Sequence, residues 1–538
     1  MLESLSALQE RRFDVLVIGG GINGAAAAQH LAAEGYSVLL VEKGDFASAA
    51  TGRSTRILHW GIRYLAPEKS PWEFLRHPIG FLKKFRESLV LAREYEEFRS
   101  STPDYLNSYP VFVPFFKNGG VSGWQLDIAA LLLGARRKSS STNYRRYSGR
   151  AARDLEAARL IRDHSQITQL LEFEDCQFAW PERMCLDALL DAQRMGACIR
   201  NYTRVSGLEY RDGRWSALLE GGDEAASANV WASAIVNTTG VWVDELLRMA
   251  AGNLSDKPTQ KAVGIKGIHF MAKLPPEFDG KIIVGRNRSN TQLSCIPWRG
   301  LHYFGPTEVP YQGDIENVSP TDEEVTFLVN EANHFFPGLG LKMDQVRFAW
   351  AGVRAKTYHP EHSVGDPAGT ARIHDLSLEG LPKLFTLTWG TINQHRLTAR
   401  RLVEAVKGVH APSGKAKPLS YQASINRKAL LAGEQKQRSG KLDLSCIVEI
   451  ARTEYPRTLV DILFRRVDLA WGPFLSGDEV RSIAEAVAPV LHWNAERVST
   501  EVESFVGYMR HQHRYEVPMS AEEQQSDDLS SSARNIAL

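Results

Sequence analysis

Apolar positions along this chain alternate between short unbroken runs and helical stripes, and the two patterns predict different elements. The runs in Asp14-Val-Leu-Val-Ile18 and Tyr36-Ser-Val-Leu-Leu-Val41 predict strands buried on both faces, with a helix opening at Ala25-Ala-Ala-Ala28 between them. Residues 71–99 predict a long helix with Leu82, Phe85, Leu89 and Ala92 on one face and Lys83, Lys84 and Arg86 off it. Trp124–Gly134 is a second apolar stretch, with Arg136, Arg137 and Lys138 at its exit and Arg145, Arg146 and Arg150 beyond. Met184–Gln193 reads as a helix, Ala197–Val205 as a strand, Ser206–Leu219 as a hairpin and Ala234–Gly240 as a strand ending in a glycine turn. Residues 255–345 are strand-rich, with Lys281–Gly285 and Gly300–Gly305 as examples, and predict an antiparallel sheet carrying substrate contacts. Residues 385–406 run strand, turn, helix. A linker rich in Gly, Pro, Ser and Lys (Gly408–Leu419) precedes a helical unit, and the polar tail from Ala521 predicts disorder.

Bulk composition narrows the class without naming a function. The 538 residues exceed one compact core, and 43% hydrophobic with 24% charged residues is ordinary for a globular protein. A net charge of +1 gives no general drive toward nucleic acid, so none is expected as a partner. The five cysteines form no C-x-x-C pair, which points away from a zinc site or disulfide framework and toward a reducing, cytoplasmic compartment. The short acidic N-terminus is not a secretory signal, and no apolar run reaches membrane-spanning length. His359-Pro-Glu-His362 carries a proline where a helical metal motif needs continuous helix, so it reads as loop and no metal is expected.

The most specific local signal is Gly19-Gly-Gly-Ile-Asn-Gly24, placed between the first strand and the first helix. Gly19 permits the tight turn, Gly21 lets backbone approach a pyrophosphate, and Gly24 lets helix and strand pack closely; free amides at the helix start face the phosphates. Glu42 ends the second strand at the offset of an acid that accepts from ribose hydroxyls. Strand, turn, helix, strand and acid in that order predict a dinucleotide site, with Ile22 and Asn23 inside it.

Further blocks carry a resemblance. Ser54-Thr-Arg-Ile-Leu-His-Trp-Gly-Ile-Arg-Tyr-Leu65 resembles the S-S-K-L-I-H-G-G-L-R-Y-L segment of aerobic, FAD-dependent glycerol-3-phosphate dehydrogenases. Similarity continues at Phe173–Cys176, Val236–Val243, Ile265–His269, Ile296–Trp298, Gly305–Asp314 and Ala351–Arg354, and more loosely at Glu454-Tyr-Pro456 and Asp461–Arg466. The resemblance implies an α/β fold: a Rossmann-like FAD-binding domain (12–64, 166–250 and 346–407), an antiparallel-sheet substrate domain (65–165 and 251–345), a helical C-terminal domain (420–515) and a disordered tail (521–538). It also implies FAD as cofactor, a phosphorylated small-molecule substrate, a quinone or other electron acceptor, a peripheral contact with the cytoplasmic face of a membrane, and room for a homodimer. By match to the motifs, His269, Arg354 and Arg63 are the catalytic candidates, His269 because an imidazole can titrate near neutral pH. Arg63, Tyr64, Arg354 and Thr391 are substrate candidates. Gly19, Gly21, Ile22, Asn23, Gly24, Glu42, Ser54, Thr55, His59, Gly61, Val205, Thr239, Gly240, Gly390, Thr391, Ile392 and Asn393 are the cofactor candidates.

The departures from that pattern bear on substrate. Where the family has G-G-K-L-T-T-Y-R, this chain has Trp389-Gly-Thr-Ile-Asn-Gln-His-Arg396, so a lysine becomes Thr391 and a tyrosine His395. Trp60 replaces a glycine, and Ala355 followed by Lys356 replaces a proline after Arg354. One cation is thus missing from the expected anion site: either Lys356 or Lys266 compensates, or the substrate differs. The readings open at this point are oxidation of glycerol 3-phosphate or a related polyol phosphate, oxidation of an amine, amino acid or non-phosphorylated alcohol, and a flavin-bound partner protein without catalysis.

Overall fold

The computed structural model describes residues 4–59, 78–117, 127, 130–131, 143–221, 226–252, 254, 257–363, 365, 370–421 and 443–520, with side chains between 78 and 84 left aside. Trp60, Gly61, Arg63 and Tyr64 lie outside the described residues. So do most of the apolar segment at 124–134 with its basic exit, and the tail from 521.

Two sheets organise the chain. The first contains β1 (Arg12–Ile18), β2 (Val38–Val41), β6 (Cys198–Arg200), β7 (Thr203–Arg211), β8 (Arg214–Gly221), β9 (Ser227–Asn237), β16 (Arg372–Asp375) and β17 (Leu384–Thr388). Its order is β16-β17-β9-β1-β2-β6, with β1 parallel to both β2 and β9, and β7 and β8 forming a hairpin added to β9. Central parallel strands have helices on their faces, which is why β1 and β2 are apolar almost throughout. The crossover helix Ile22–Ala33 is buried nearly all round, and its alanines let it sit between the sheet and the helices Pro181–Arg194 and His395–Lys407. The expected strand over 197–205 breaks in two at Asn201 and Tyr202, where Tyr202 adopts φ +49°.

The second sheet contains β3 (Leu106–Phe116), β4 (Arg145–Ser148), β5 (Ile167–Phe178), β10 (Ala262–Ala272), β11 (Ile282–Arg286), β12 (Gln292–Trp298), β13 (Leu301–Gly305), β14 (Val309–Pro310) and β15 (Phe348–Thr357). Pairing is antiparallel except between β3 and β11. This corrects two expected boundaries: β5 and β15 belong to this sheet, although 166–250 and 346–407 were assigned to the FAD-binding domain. Apolar alternation marks a strand but not its sheet; long pairings of β5 with β3 and of β15 with β10 decided it.

The long helix spans Pro78–Ser101. Its buried face is Ser88, Leu91, Ala92, Tyr95 and Phe98, one step round from the predicted stripe, and Phe85 and Leu89 are half-buried. The aromatic residues set this rotation: Tyr95 donates to Cys176 Sγ at 3.4 Å and Phe98 meets Phe178 edge-on.

The C-terminal unit comprises the helices Leu444–Thr453, Gly477–Leu491 and Ala495–His513 and the π-helical segment Asp461–Arg466. It covers part of the second sheet through Ile447, Phe464, Trp471 and Phe505, packed against Met271, Phe348 and Trp350. It also grips the first sheet domain by charge. Arg465 and Arg466 both donate to the buried Asp45 carboxylate, and Arg183 bridges Asp187 and Glu454 at 2.7 Å each. Among the described residues no helix is long and apolar enough to cross a membrane.

Candidate functional site

At the end of β1 the chain turns with Gly19 at φ +108°, a conformation side chains rarely adopt. A β-carbon there would lie 2.7 Å from the Thr238 carbonyl oxygen, and one on Gly24 would lie 1.9 Å from the Gly19 oxygen. The glycines are therefore obligatory contacts between turn, helix and β9. Glu42 braces the turn: one carboxylate oxygen accepts from Gly20 N at 2.7 Å and the other from Gly44 N at 2.9 Å. Burial raises its carboxyl pKa, and these two amides oppose the rise.

Residues far apart in sequence close this turn. Thr51 Oγ1 accepts from Ile22 N at 3.0 Å, and Thr238 Oγ1 donates to the Ile18 and Gly19 carbonyls at 3.0 and 3.2 Å. Asn23 Nδ2 donates to the Gly390 carbonyl at 2.6 Å, so the first glycine turn and the turn after β17 are one structure. That contact requires Gly390, whose β-carbon would fall 2.6 Å from Asn23 Nδ2. Asn23 Oδ1 and Thr391 Oγ1 are buried in this region with no hydrogen-bond partner.

A cavity of about 2440 Å³ runs from this turn to the second sheet. Of the cofactor candidates, Gly19, Gly21, Ile22, Asn23, Glu42, Ser54, Thr55, His59, Val205, Thr239, Gly240, Gly390, Thr391, Ile392 and Asn393 line it, whereas Gly24 packs behind the turn. His269 and Arg354 line the same cavity from the other side.

Strand alternation explains the far wall. In the β10–β15 pair Gly267 lies opposite Gly352, His269 opposite Trp350 and Ile265 opposite Arg354. Directly opposed residues share a face, so His269, Gly267, Gly352, Arg354 and Lys356 stand on one side. The C-terminal unit covers the Met271, Phe348 and Trp350 end of that side. The two glycines leave the remainder low: a β-carbon on Gly352 would press on Arg53, and one on Gly267 would lie 2.8 Å from the Thr307 oxygen. The result is a trough with an imidazole at one end and two cations at the other.

His269 is 2% exposed, stacked on Trp350 with centroids 4.7 Å apart, and its Nε2 lies 3.1 Å from Thr55 Oγ1. Its Nδ1 has no hydrogen-bond partner. Burial first, then repulsion from Arg354 and Arg56, lowers its pKa to about 3. The imidazole is thus neutral in the fold, although its ordinary value would let it titrate near neutral pH. Arg354 and Lys356 both reach Glu308, at 3.1 and 3.5 Å, and the Lys356 ammonium sits 4.6 Å from the Trp389 ring centroid.

Several named positions fall elsewhere. Lys266 pairs with Glu324 at 2.7 Å and stands over Tyr311, away from the cavity lining. His395 faces Phe98 edge-on, with its Nδ1 at 2.6 Å from the Ile392 carbonyl, and burial lowers its pKa to about 3. Gly61, Arg63 and Tyr64 are outside the described residues. The 359–362 segment is a turn, as Pro360 requires, yet it gathers donor atoms of His359, Glu361 and His362 within 4.8 Å of one another. Absence of a C-x-x-C pair and of a helical motif does not exclude such a turn, and the three side chains sit where a metal ion could be held. Thr51, Thr238 and Glu308 were not singled out from sequence; single hydroxyls and one loop carboxylate carry no local pattern.

The glycines that exclude β-carbons, the half-buried acid beside them and the orphaned Asn23 and Thr391 oxygens fit a dinucleotide laid from the first turn toward the 389–393 turn. Comparisons with known proteins agree. The FAD dependent oxidoreductase family matches residues 14–387. A glycerol-3-phosphate dehydrogenase of Synechocystis is 25% identical over 566 residues, spanning 94% of this chain and 98% of that protein. D-erythritol 1-phosphate dehydrogenase of Brucella abortus is 26% identical over 408 residues, 74% of this chain and 75% of that protein. The structure of glycerol-3-phosphate dehydrogenase from Bacillus halodurans complexed with FAD has a similar fold, with a TM-score of 0.66 at 19% identity, covering 94% of this chain and 96% of that one. The chain belongs to the FAD dependent oxidoreductase family, and FAD is its cofactor.

Proposed function

We propose that this enzyme oxidises the secondary alcohol of glycerol 3-phosphate or a related polyol phosphate to the ketone and passes the electrons onward to a quinone-type acceptor. The observation that carries this reading is the convergence, on one cavity, of the nucleotide turn, a neutral imidazole and the two cations of the trough. The relatives at 25 and 26% identity, named for phosphorylated polyols, support it.

Bound FAD supplies the two-electron acceptor for the hydride that leaves the carbinol carbon. The carbinol C–H bond breaks with its electron pair, the hydroxyl proton departs, and the C=O bond forms. His269 is the proton acceptor in this reading, since a neutral imidazole can take a proton and its Nδ1 has no competing partner. Burial holds that pKa down first and Arg354 second; an anion neutralising Arg354 removes the second contribution and raises the basicity of the ring. The guanidinium offers a planar fork to substrate oxygens. Thr55 orients the ring through the 3.1 Å contact. The cofactor-lining residues from Gly19 to Asn393 hold the dinucleotide, with Glu42 at the ribose, and Arg63 and Tyr64 serve the phosphate.

Anaerobic mixing with a panel of polyol phosphates, the parent polyols and amino acids, followed by flavin absorbance, tests the reading. Bleaching by glycerol 3-phosphate or a close polyol phosphate is expected. Bleaching only by amines or amino acids would replace this substrate class, and none by any compound would favour a flavin-bound partner protein.

A further inference from the structure

We propose that Lys356 is a substrate-selecting residue, supplying the second positive charge for the substrate's anionic group from the trough wall. The inference rests on the reading that the substrate is phosphorylated.

Its placement follows from the sheet. Lys356 lies two residues after Arg354 on β15, so both project to the same side, and both line the cavity. The turn that carries Thr391 is fastened beside it: Trp389 N donates to the Ala355 carbonyl at 2.8 Å, and Thr391 N donates to the Trp389 carbonyl at 3.0 Å. The ammonium stands over the indole of that same turn, 4.6 Å from its centroid. A charge attached to β15 is thereby held beside the position where Thr391 offers only a buried, unpartnered hydroxyl. The aromatic face restricts the long lysine stem and favours its cationic end.

Solvation and competition support the assignment. The Lys356 side chain is 12% exposed, so its field is weakly screened. Its carboxylate neighbour, Glu308, is shared with Arg354 at 3.1 Å. A phosphate dianion competes with Glu308 for both cations and carries more charge than a single carboxylate. Lys266, the other lysine on the paired strands near the site, stands on the opposite side of β10 and is held by Glu324.

The test uses the FAD-loaded protein with inorganic phosphate as probe, measured by titration calorimetry, and separate anaerobic flavin reduction by glycerol 3-phosphate. K356Q is expected to weaken phosphate binding about tenfold, the scale of one charge-assisted contact. E308Q is expected to tighten it, and K356Q/T391K to restore it, because the lysine returns on the adjoining turn. KM for glycerol 3-phosphate should rise in K356Q while kcat changes less. An unchanged phosphate affinity in K356Q, or no phosphate binding to the parent, overturns the inference. Lysine-dependent phosphate binding without flavin reduction by any polyol phosphate overturns the dehydrogenase reading instead and leaves the anion site standing. Flavin reduction with an unaltered KM in K356Q keeps that reading and removes the role of Lys356.

Discussion

At the nucleotide end of the cavity Gly19, Gly24 and Gly390 leave no space for a β-carbon, and the polar contacts are mostly backbone amides and carbonyls. At the trough end the floor is again glycine, Gly267 and Gly352, but the walls are an imidazole stacked on Trp350 and two cations that share a carboxylate. Backbone cradles recognise what is common to all dinucleotides, and a single added atom destroys them. Side-chain walls recognise one substrate among many, so substitution there shifts preference by degrees.

The sharpest way to break this comparison is Gly24→Val. With a β-carbon placed 1.9 Å from the Gly19 oxygen, the purified protein is expected to carry no flavin absorbance; full occupancy would mean that the turn can open at little cost. At the other end, His269→Asn should leave the flavin content intact and slow anaerobic flavin reduction by about 10²–10⁴-fold, the scale of a lost proton acceptor. Loss of flavin in that variant would show that the trough also shapes the cofactor cradle.

Asp45→Asn probes what clamps the two ends together. It leaves Arg466 without its buried counter-charge and Arg465 with Asp461 alone, and should cost about 3–5 kcal/mol, read as a lowered Tm. Substrate charge preference should be unaltered. An unchanged Tm would mean that the helical unit is held by its apolar face alone.

The last test is a titration. Burial is the leading cause that lowers His30 and His374 to about 4, and His269, His395 and His513 to about 3, from an ordinary 6.5. Above pH 6.5 folded and unfolded chains are equally neutral at these sites. Below it the unfolded chain takes up protons that the fold refuses, so stability falls with pH from 6.5 toward about 3. Tm followed through this window should decline steadily. Saturating phosphate should slow the decline if it raises the His269 pKa, which would tie this global property to the trough.

Most of the nucleotide end was legible because its signal is local. Glycines at fixed offsets between an apolar strand and a helix have few other uses, and the cavity lining contains nearly every residue that pattern named. Lys356 and Lys266 were indistinguishable on paper. Pairing of β10 with β15 separates them, sending one to the cavity and the other to Glu324. Likewise His269 was visible as a proton-handling group, but its low pKa comes from burial and from two arginines distant in sequence.

The sequence by itself determined the dinucleotide turn, the α/β class and the identity of the charged groups available, since periodicity and glycine spacing act over a few residues. Tertiary structure alone decided that β5 and β15 join the second sheet, that Asn23 meets Gly390, that Arg354 and Lys356 share Glu308, and that His269 is neutral. Those outcomes depend on strand register and on desolvation by residues tens to hundreds of positions away, and no local pattern encodes either.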